Sequence, residues 1–201
     1  DKDKIKNVKQ ITIITTLSKN FDKEIKYASV VADAVNKTRD LVNTPPNIAT
    51  PEFVADYAKE LARKSNLKCA VFDEKQIEKM KMGCFIGVAQ GSAKKPRLVV
   101  IEYYGADKKQ RHARARSRSL SYKPIAIVGK GVTFDSGGLN LKPYPFILNM
   151  KDDKGGAVAA MHIIEACARL ELSVNIIVVT PLCENMPGST SFRPDDVLTA
   201  Y

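Results

Sequence analysis

The chain has 201 residues, 44% hydrophobic and 27% charged, with a formal net charge of +10. That composition belongs to a core-forming globular domain and argues against a disordered polyelectrolyte. No apolar run reaches the roughly 18 to 20 residues a membrane helix needs, and the opening DKDKIKNVKQ lacks the apolar centre of a secretory leader.

The first element predicted is a strand at residues 9–17, KQITIITTL, which is β-branched and apolar. From Lys23 the period changes: Tyr27, Val30, Val31, Ala34, Val35, Thr38 and Leu41 recur at helical spacing to about Asn43. Pro45 then biases Thr44 away from the helical region. A second helix starts at Thr50, a good N-cap, with Pro51 at its first position and Phe53, Val54, Tyr57, Ala58 and Leu61 as its stripe. Next come a strand at 67–73, a short basic helix near 75–81 and a strand at 97–104. A basic loop separates these from the strand PIAIV (124–128). A helix at 156–170 and the strand VNIIVVTPL (174–182) complete the pattern. Strands without polar alternation are buried on both faces, so the class is α/β, with a mixed, largely parallel sheet between helices.

The four cysteines, Cys69, Cys84, Cys167 and Cys183, are scattered without a CxxC pair, as in reduced thiols of a cytoplasmic protein. His162, inside the helix after 156, is read as a packed or surface residue. Half of the excess charge sits in residues 106–121, where Lys108, Lys109, Arg111, Arg114, Arg116 and Arg118 face only Asp107. With no aromatic residue to stack on bases, this stretch reads as a solvated loop. A salt-sensitive arm contacting phosphates is the other reading.

Residues 129–157, GKGVTFDSGGLNLKPYPFILNMKDDKGGA, carry the chemistry. Ligand sites in open α/β sheets lie at the carboxyl ends of strands. Lys130 and Asp135 follow PIAIV at that edge, in what reads as a turn loosened by Gly129, Gly131, Gly137 and Gly138. Asp153 stands just before the helix. Two carboxylates converging there would repel one another without a cation between them. Oxygen ligands suit Mg²⁺ and Mn²⁺, and Zn²⁺ accepts carboxylates as well. A lysine binds metal only when neutral, so Lys130 would need a pKa lowered by the ion and by burial. The same residues also suit surface salt bridges around a glycine-rich turn, and spacing alone leaves both readings open.

The residues themselves go further. VGKGVTFDSGGLNLK, followed by NMKDDKGGA and PLCENMPGSTSFRPDDV, closely resembles the cytosolic leucyl aminopeptidase family, as do RDLVNTPPNIATPEFVADYA and GVAQGSAKKPRLVVIEY upstream. The likeness runs from about Tyr27 to Tyr201, the basic loop excepted. It implies the N-terminal part of a zinc-peptidase-like catalytic domain at 27–201, preceded at 1–26 by the tail of a separate N-terminal domain and linker. It further implies a metal-dependent aminopeptidase releasing leucine-type N-terminal residues from peptide substrates, cytoplasmic, and a homo-hexamer at full length. The cofactors would be two divalent metal ions, Mn²⁺ or Zn²⁺, with Mg²⁺ as a further candidate. On this resemblance Lys130 and Asp135 match metal ligands, Asp135 bridging the two ions, and Asp153 matches a second ligand to the ion held by Lys130. Lys142 matches the catalytic lysine, and Met150 a residue lining the pocket for the first side chain.

Several positions depart from the family pattern. Its next block, NTDAEGRL, would supply further ligands and is not reached by Tyr201, so a fragment lacking some ligands, inactive alone, is expected. Lys154 stands where methionine is usual and is expected to add a cation beside Asp153. RPDDV replaces the usual RPGDV, and the basic loop is longer than its counterpart. Glu184 is read as structural. The alternative is a non-catalytic relative or fragment that binds nucleic acid or a partner through loop 107–119.

Overall fold

Helix α1 (Asp22–Asn43) ends where Thr44 turns extended ahead of Pro45. Helix α2 (Pro51–Lys64) starts at the Thr50 cap, whose side chain accepts from the Phe53 N–H. The computed structural model describes residues 10–12, 14, 16, 21–106, 123–189 and 193–197. Within them follow β1 (Lys68–Phe72), α3 (Glu74–Lys79), α4 (Gly83–Ala89), β2 (Arg97–Tyr104), β3 (Ile125–Val128), β4 (Gly131–Asp135), a 3₁₀ turn (Met150–Lys154), α5 (Gly155–Arg169) and β5 (Asn175–Asn185). Asp73 opens α3 with a capping box closed by Gln76.

The five strands form one mixed sheet in the order β1-β2-β5-β3, with β4 also on β5. The two pairings on the β1 side are antiparallel, and the parallel ones are those of β3 and β4 with β5. One flank of β5 therefore serves two strands in succession: β3 pairs from Ile176 to Val179, and β4 from Leu182 to Asn185.

Val99, Ile101 and Tyr103 of β2 and Ile176, Val178 and Leu182 of β5 point to one side. There they meet Val54, Ala58 and Leu61 of α2, Ala157, Met161 and Ile164 of α5, and Leu41 of α1. Fully burying one such side chain is worth about 1.5 to 3 kcal/mol, which makes this face the main source of stability. Helix α1 packs across α5, but its stripe is only partly covered. Val30, Ala34 and Leu41 are buried, whereas Tyr27, Val31 and Val35 stay exposed beside Ile163 of α5.

Three expectations need correction. Gln10–Thr12, Ile14 and Thr16, the described part of the strand expected at 9–17, form no strand, and Ile11 and Ile14 are exposed. β-Branched residues favour strands only where a neighbour covers one face. The glycine-rich turn expected after PIAIV is instead strand β4, with turn geometry starting only beyond Asp135. Helix α4, GCFIGVA, was not anticipated at all. The basic loop 107–119 lies outside the described residues. Among them no helix is long and apolar enough to cross a membrane, and the four cysteines are unpaired.

Candidate functional site

The site residues converge because three separate pieces of backbone are tied to one another. Between β3 and β4 the chain leaves the sheet for two residues, Gly129 and Lys130. Helix α5 takes up the slack: its Ala157 N–H donates to Lys130 O at 2.8 Å. The approach is so close that a Cβ on Gly129 would lie 2.5 Å from Gly156 O, which explains glycine there. Past Asp135 the chain reverses through Gly137 and Gly138, at φ 89° and 66°. Left-handed geometry of this kind suits glycine and brings the chain back toward Lys142, whose N–H bonds Ser136 O.

Asp135 sits at the end of β4 and is nearly saturated. Lys142 Nζ donates to its Oδ2 at 2.7 Å, and Asn185 Nδ2 and the Gly137 N–H donate to its Oδ1 at 2.8 and 3.0 Å. Burial pushes this carboxyl up, but the bonds from Lys142, Asn185 and Gly137 outweigh it and hold the group below the ordinary carboxylate value. Lys142 Nζ also lies 2.9 Å from Met150 Sδ, so Met150 and Asp135 together fix the ammonium.

Asp153 comes from the 3₁₀ turn, entered through Asn149 in the left-handed region. Its Oδ2 lies 2.8 Å from Lys130 Nζ, yet this buried oxygen has no hydrogen-bond partner of good geometry. Lys130 is 61% exposed and carries a raised pKa, chiefly through its bond to Asp153. The burial expected to neutralise it is therefore not provided by these residues. The charges of Asp135 and Asp153 both bear on Lys130 and on Cys183 alongside. Burial pushes the Cys183 thiol up to about 12, so it stays protonated.

The structure thus brings Lys130, Asp135, Asp153, Lys142 and Met150 into one neighbourhood. Among the described residues no group of three or more His, Cys, Asp or Glu could hold a metal. Among these residues, Lys130 and the carboxylates of Asp135 and Asp153 are the groups that could contribute ligands here. Asp153 Oδ2 fits a cation, being a buried anionic oxygen that is faced by the Lys130 ammonium and has no well-aligned hydrogen bond.

One residue was missed from sequence and another was misplaced. Asn185 orients Asp135, and a polar residue ending an apolar strand at the same sheet edge was the available signal. Lys154 was expected to add a cation beside Asp153. It is fully buried, and its ammonium turns to the carbonyls of Val42, Thr44 and Lys151 rather than to the Asp153 carboxylate. Burial brings it down to about 8.

The remaining polar groups are structural. Buried Glu184 is held by Ser92 Oγ and by Arg193, which also clasps Asp196. Asp195, in the place where glycine is usual, adopts φ 70° and pairs with Lys151 at 3.2 Å. His162 is packed, 2.8 Å from Tyr57 OH and 3.0 Å from Thr38 Oγ1.

Comparison with known proteins gives consistent matches. Residues 36–201 match the description "Cytosol aminopeptidase family, catalytic domain". A "Probable cytosol aminopeptidase" of Mycobacterium ulcerans is 42% identical over 96% of this chain and 36% of its own length. One from Syntrophotalea carbinolica is 40% identical over 88% of this chain and 33% of its own. The chain thus spans about a third of the length of these curated relatives. Among solved structures, the bottromycin maturation enzyme BotP in complex with Mn superposes with a TM-score of 0.72 at 35% identity. It covers 85% of this chain and 34% of BotP.

Proposed function

This chain belongs to the cytosol aminopeptidase family, and from that premise we propose that the full-length protein is a metal-dependent aminopeptidase of the cytoplasm. Its substrates would be peptides with a free N-terminus and a leucine-type first residue. The observation that carries the reading is the meeting of Lys130, Asp135 and Asp153, where a buried carboxylate oxygen of Asp153 faces the Lys130 ammonium, beside the ammonium of Lys142. The manganese in BotP supports a divalent ion, and Mn²⁺ or Zn²⁺ is our assignment.

Lys130, Asp135 and Asp153 would hold the ions, with the remaining ligands outside these three. When bound, such ions supply an activated water, a polarised scissile carbonyl and an anchor for the substrate amine. The rest is the work of this chain's own residues. Lys142 holds a positive charge where negative charge develops on the carbonyl oxygen, and Met150 limits where that ammonium can swing. Asn185 and the Gly137 N–H keep Asp135 in one rotamer, so that its second oxygen stays directed at the site. Met150 also borders the space for the first side chain.

The test is hydrolysis of leucine amide and of leucyl dipeptides by the full-length protein, before and after chelation and with Mn²⁺ or Zn²⁺ restored. Turnover that chelation abolishes and metal restores is expected. Turnover indifferent to chelation overturns metal dependence, and none with any metal overturns the peptidase.

A further inference from the structure

Helix α1 ends with a deficit. Its last turn contains no basic residue, and the carbonyls of its final residues lack partners within the helix. The Thr44 N–H and hydroxyl both return to Asp40 O, which leaves Val42 O and Thr44 O to be satisfied from elsewhere. Pro45 follows and cannot donate.

The missing cation arrives from far along the chain. Lys154 Nζ bonds Val42 O at 2.9 Å and Thr44 O at 3.2 Å, and its third donor takes Lys151 O at 2.7 Å, inside its own 3₁₀ turn. All three protons of the ammonium are used, and all three acceptors are backbone carbonyls. The arrangement suits a positive charge at a helix C-terminus. The charges that bear most on it are those of Asp152 and Lys151. Its influence on Asp153 therefore runs through the backbone: one end of the five-residue turn that presents Asp153 is pinned to α1, and the other starts at Met150 beside Lys142.

We propose that Lys154 is a positioning residue, which ties the turn carrying Asp153 to the end of α1 and so sets where Asp153 meets a divalent cation. The proposal rests on the function given above. A methionine would fill the same volume but leave Val42 O and Thr44 O bare, and the turn would be free to shift against α1.

The experiment compares full-length wild type with Lys154→Met, Lys154→Gln and a control, Met161→Ala. The control removes a fully buried side chain from α5 without touching the turn. Affinity for Mn²⁺ and Zn²⁺ is measured by calorimetry, and folding by circular dichroism and urea denaturation. Mn²⁺ binding to Lys154→Met is expected to weaken about tenfold or more. Lys154→Gln, which keeps two donors, should recover part of the loss and serves alone if the methionine variant does not fold. Met161→Ala should lose stability but bind Mn²⁺ as wild type does. Wild-type affinity in both Lys154 variants, or an equal loss in Met161→Ala, overturns the positioning role while leaving the metallopeptidase reading intact. Wild type that binds neither Mn²⁺ nor Zn²⁺ overturns that reading and this inference together.

Discussion

Replacing Lys142 by alanine should pull two measurements in opposite directions. The Lys142 ammonium is the counter-ion of Asp135, at 2.7 Å between side chains that are 30% and 15% exposed. A divalent ion approaching Asp135 Oδ2 must displace it. A charge-assisted hydrogen bond of this kind is worth roughly 1.5 to 3 kcal/mol net. Part of that is returned when the partly exposed ammonium regains water, leaving about 1 to 2 kcal/mol. Lys142→Ala removes this competition, so Mn²⁺ should bind the full-length protein about 5 to 30 times more tightly. The same change removes the charge facing the oxyanion, so kcat should fall by about 10² to 10³. Calorimetric titration of the metal, together with leucine amide hydrolysis at saturating Mn²⁺, reads both quantities from one preparation. If metal affinity falls in parallel with kcat, Lys142 holds the site together instead of competing for it, and the reasoning is refuted.

Other perturbations separate the remaining roles. Asp135→Asn should abolish tight Mn²⁺ binding in the same titration. Because the native Asp135 pKa is depressed, the stability it contributes is present above the ordinary value of 3.8 and disappears as pH falls through the lower native one. Urea midpoints of wild type and Asp135→Asn should therefore differ at neutral pH and converge in acid. Met161→Ala should cost about 2 to 5 kcal/mol in urea denaturation, because Met161 is fully buried between α5 and the sheet. Deleting residues 107–119 should leave kcat unchanged. Tyr104 and Ile125 flank β5 at neighbouring registers, about 10 Å apart by strand spacing, and residues 105, 106 and 120–124 could span about 23 Å. A large fall in kcat without unfolding would place that loop in the working site.

The sequence made the two N-terminal helices legible because Thr50, Pro51 and Pro45 act locally, through caps and fixed dihedrals. The strands at 67–73, 97–104 and 174–182 were legible as apolar runs. Their pairing was not, since nothing in RLVVIEYY shows whether its neighbour runs parallel or antiparallel. Strand β4 was hidden by its flanking glycines. They look like turn residues but serve the close packing of Gly129 on Gly156 and the reversal after Asp135. The neighbourhood of Lys130, Asp135, Asp153 and Lys142 was visible through the motif. The work of Lys154 was not, because two of its three partners are backbone carbonyls 110 and 112 positions away in sequence. Carbonyls carry no side-chain signature. The expected cation beside Asp153 proved to be a cation facing the other way.

Each of the three proposed ligands is moored to a different element. The Lys130 backbone hangs from the first turn of α5, Asp135 is held by Asn185 of β5, and the turn bearing Asp153 is fastened to α1. Their mutual geometry is therefore a report on whether three elements are docked at once. A fluctuation that loosens any one of them dissolves the site while most of the sheet remains intact. Among amides, the Ala157 N–H to Lys130 O bond should exchange with solvent at the pace of α5 undocking, not at that of global unfolding. A cation that needs all three moorings would slow that exchange, acting as a clamp on tertiary structure far larger than its own coordination sphere.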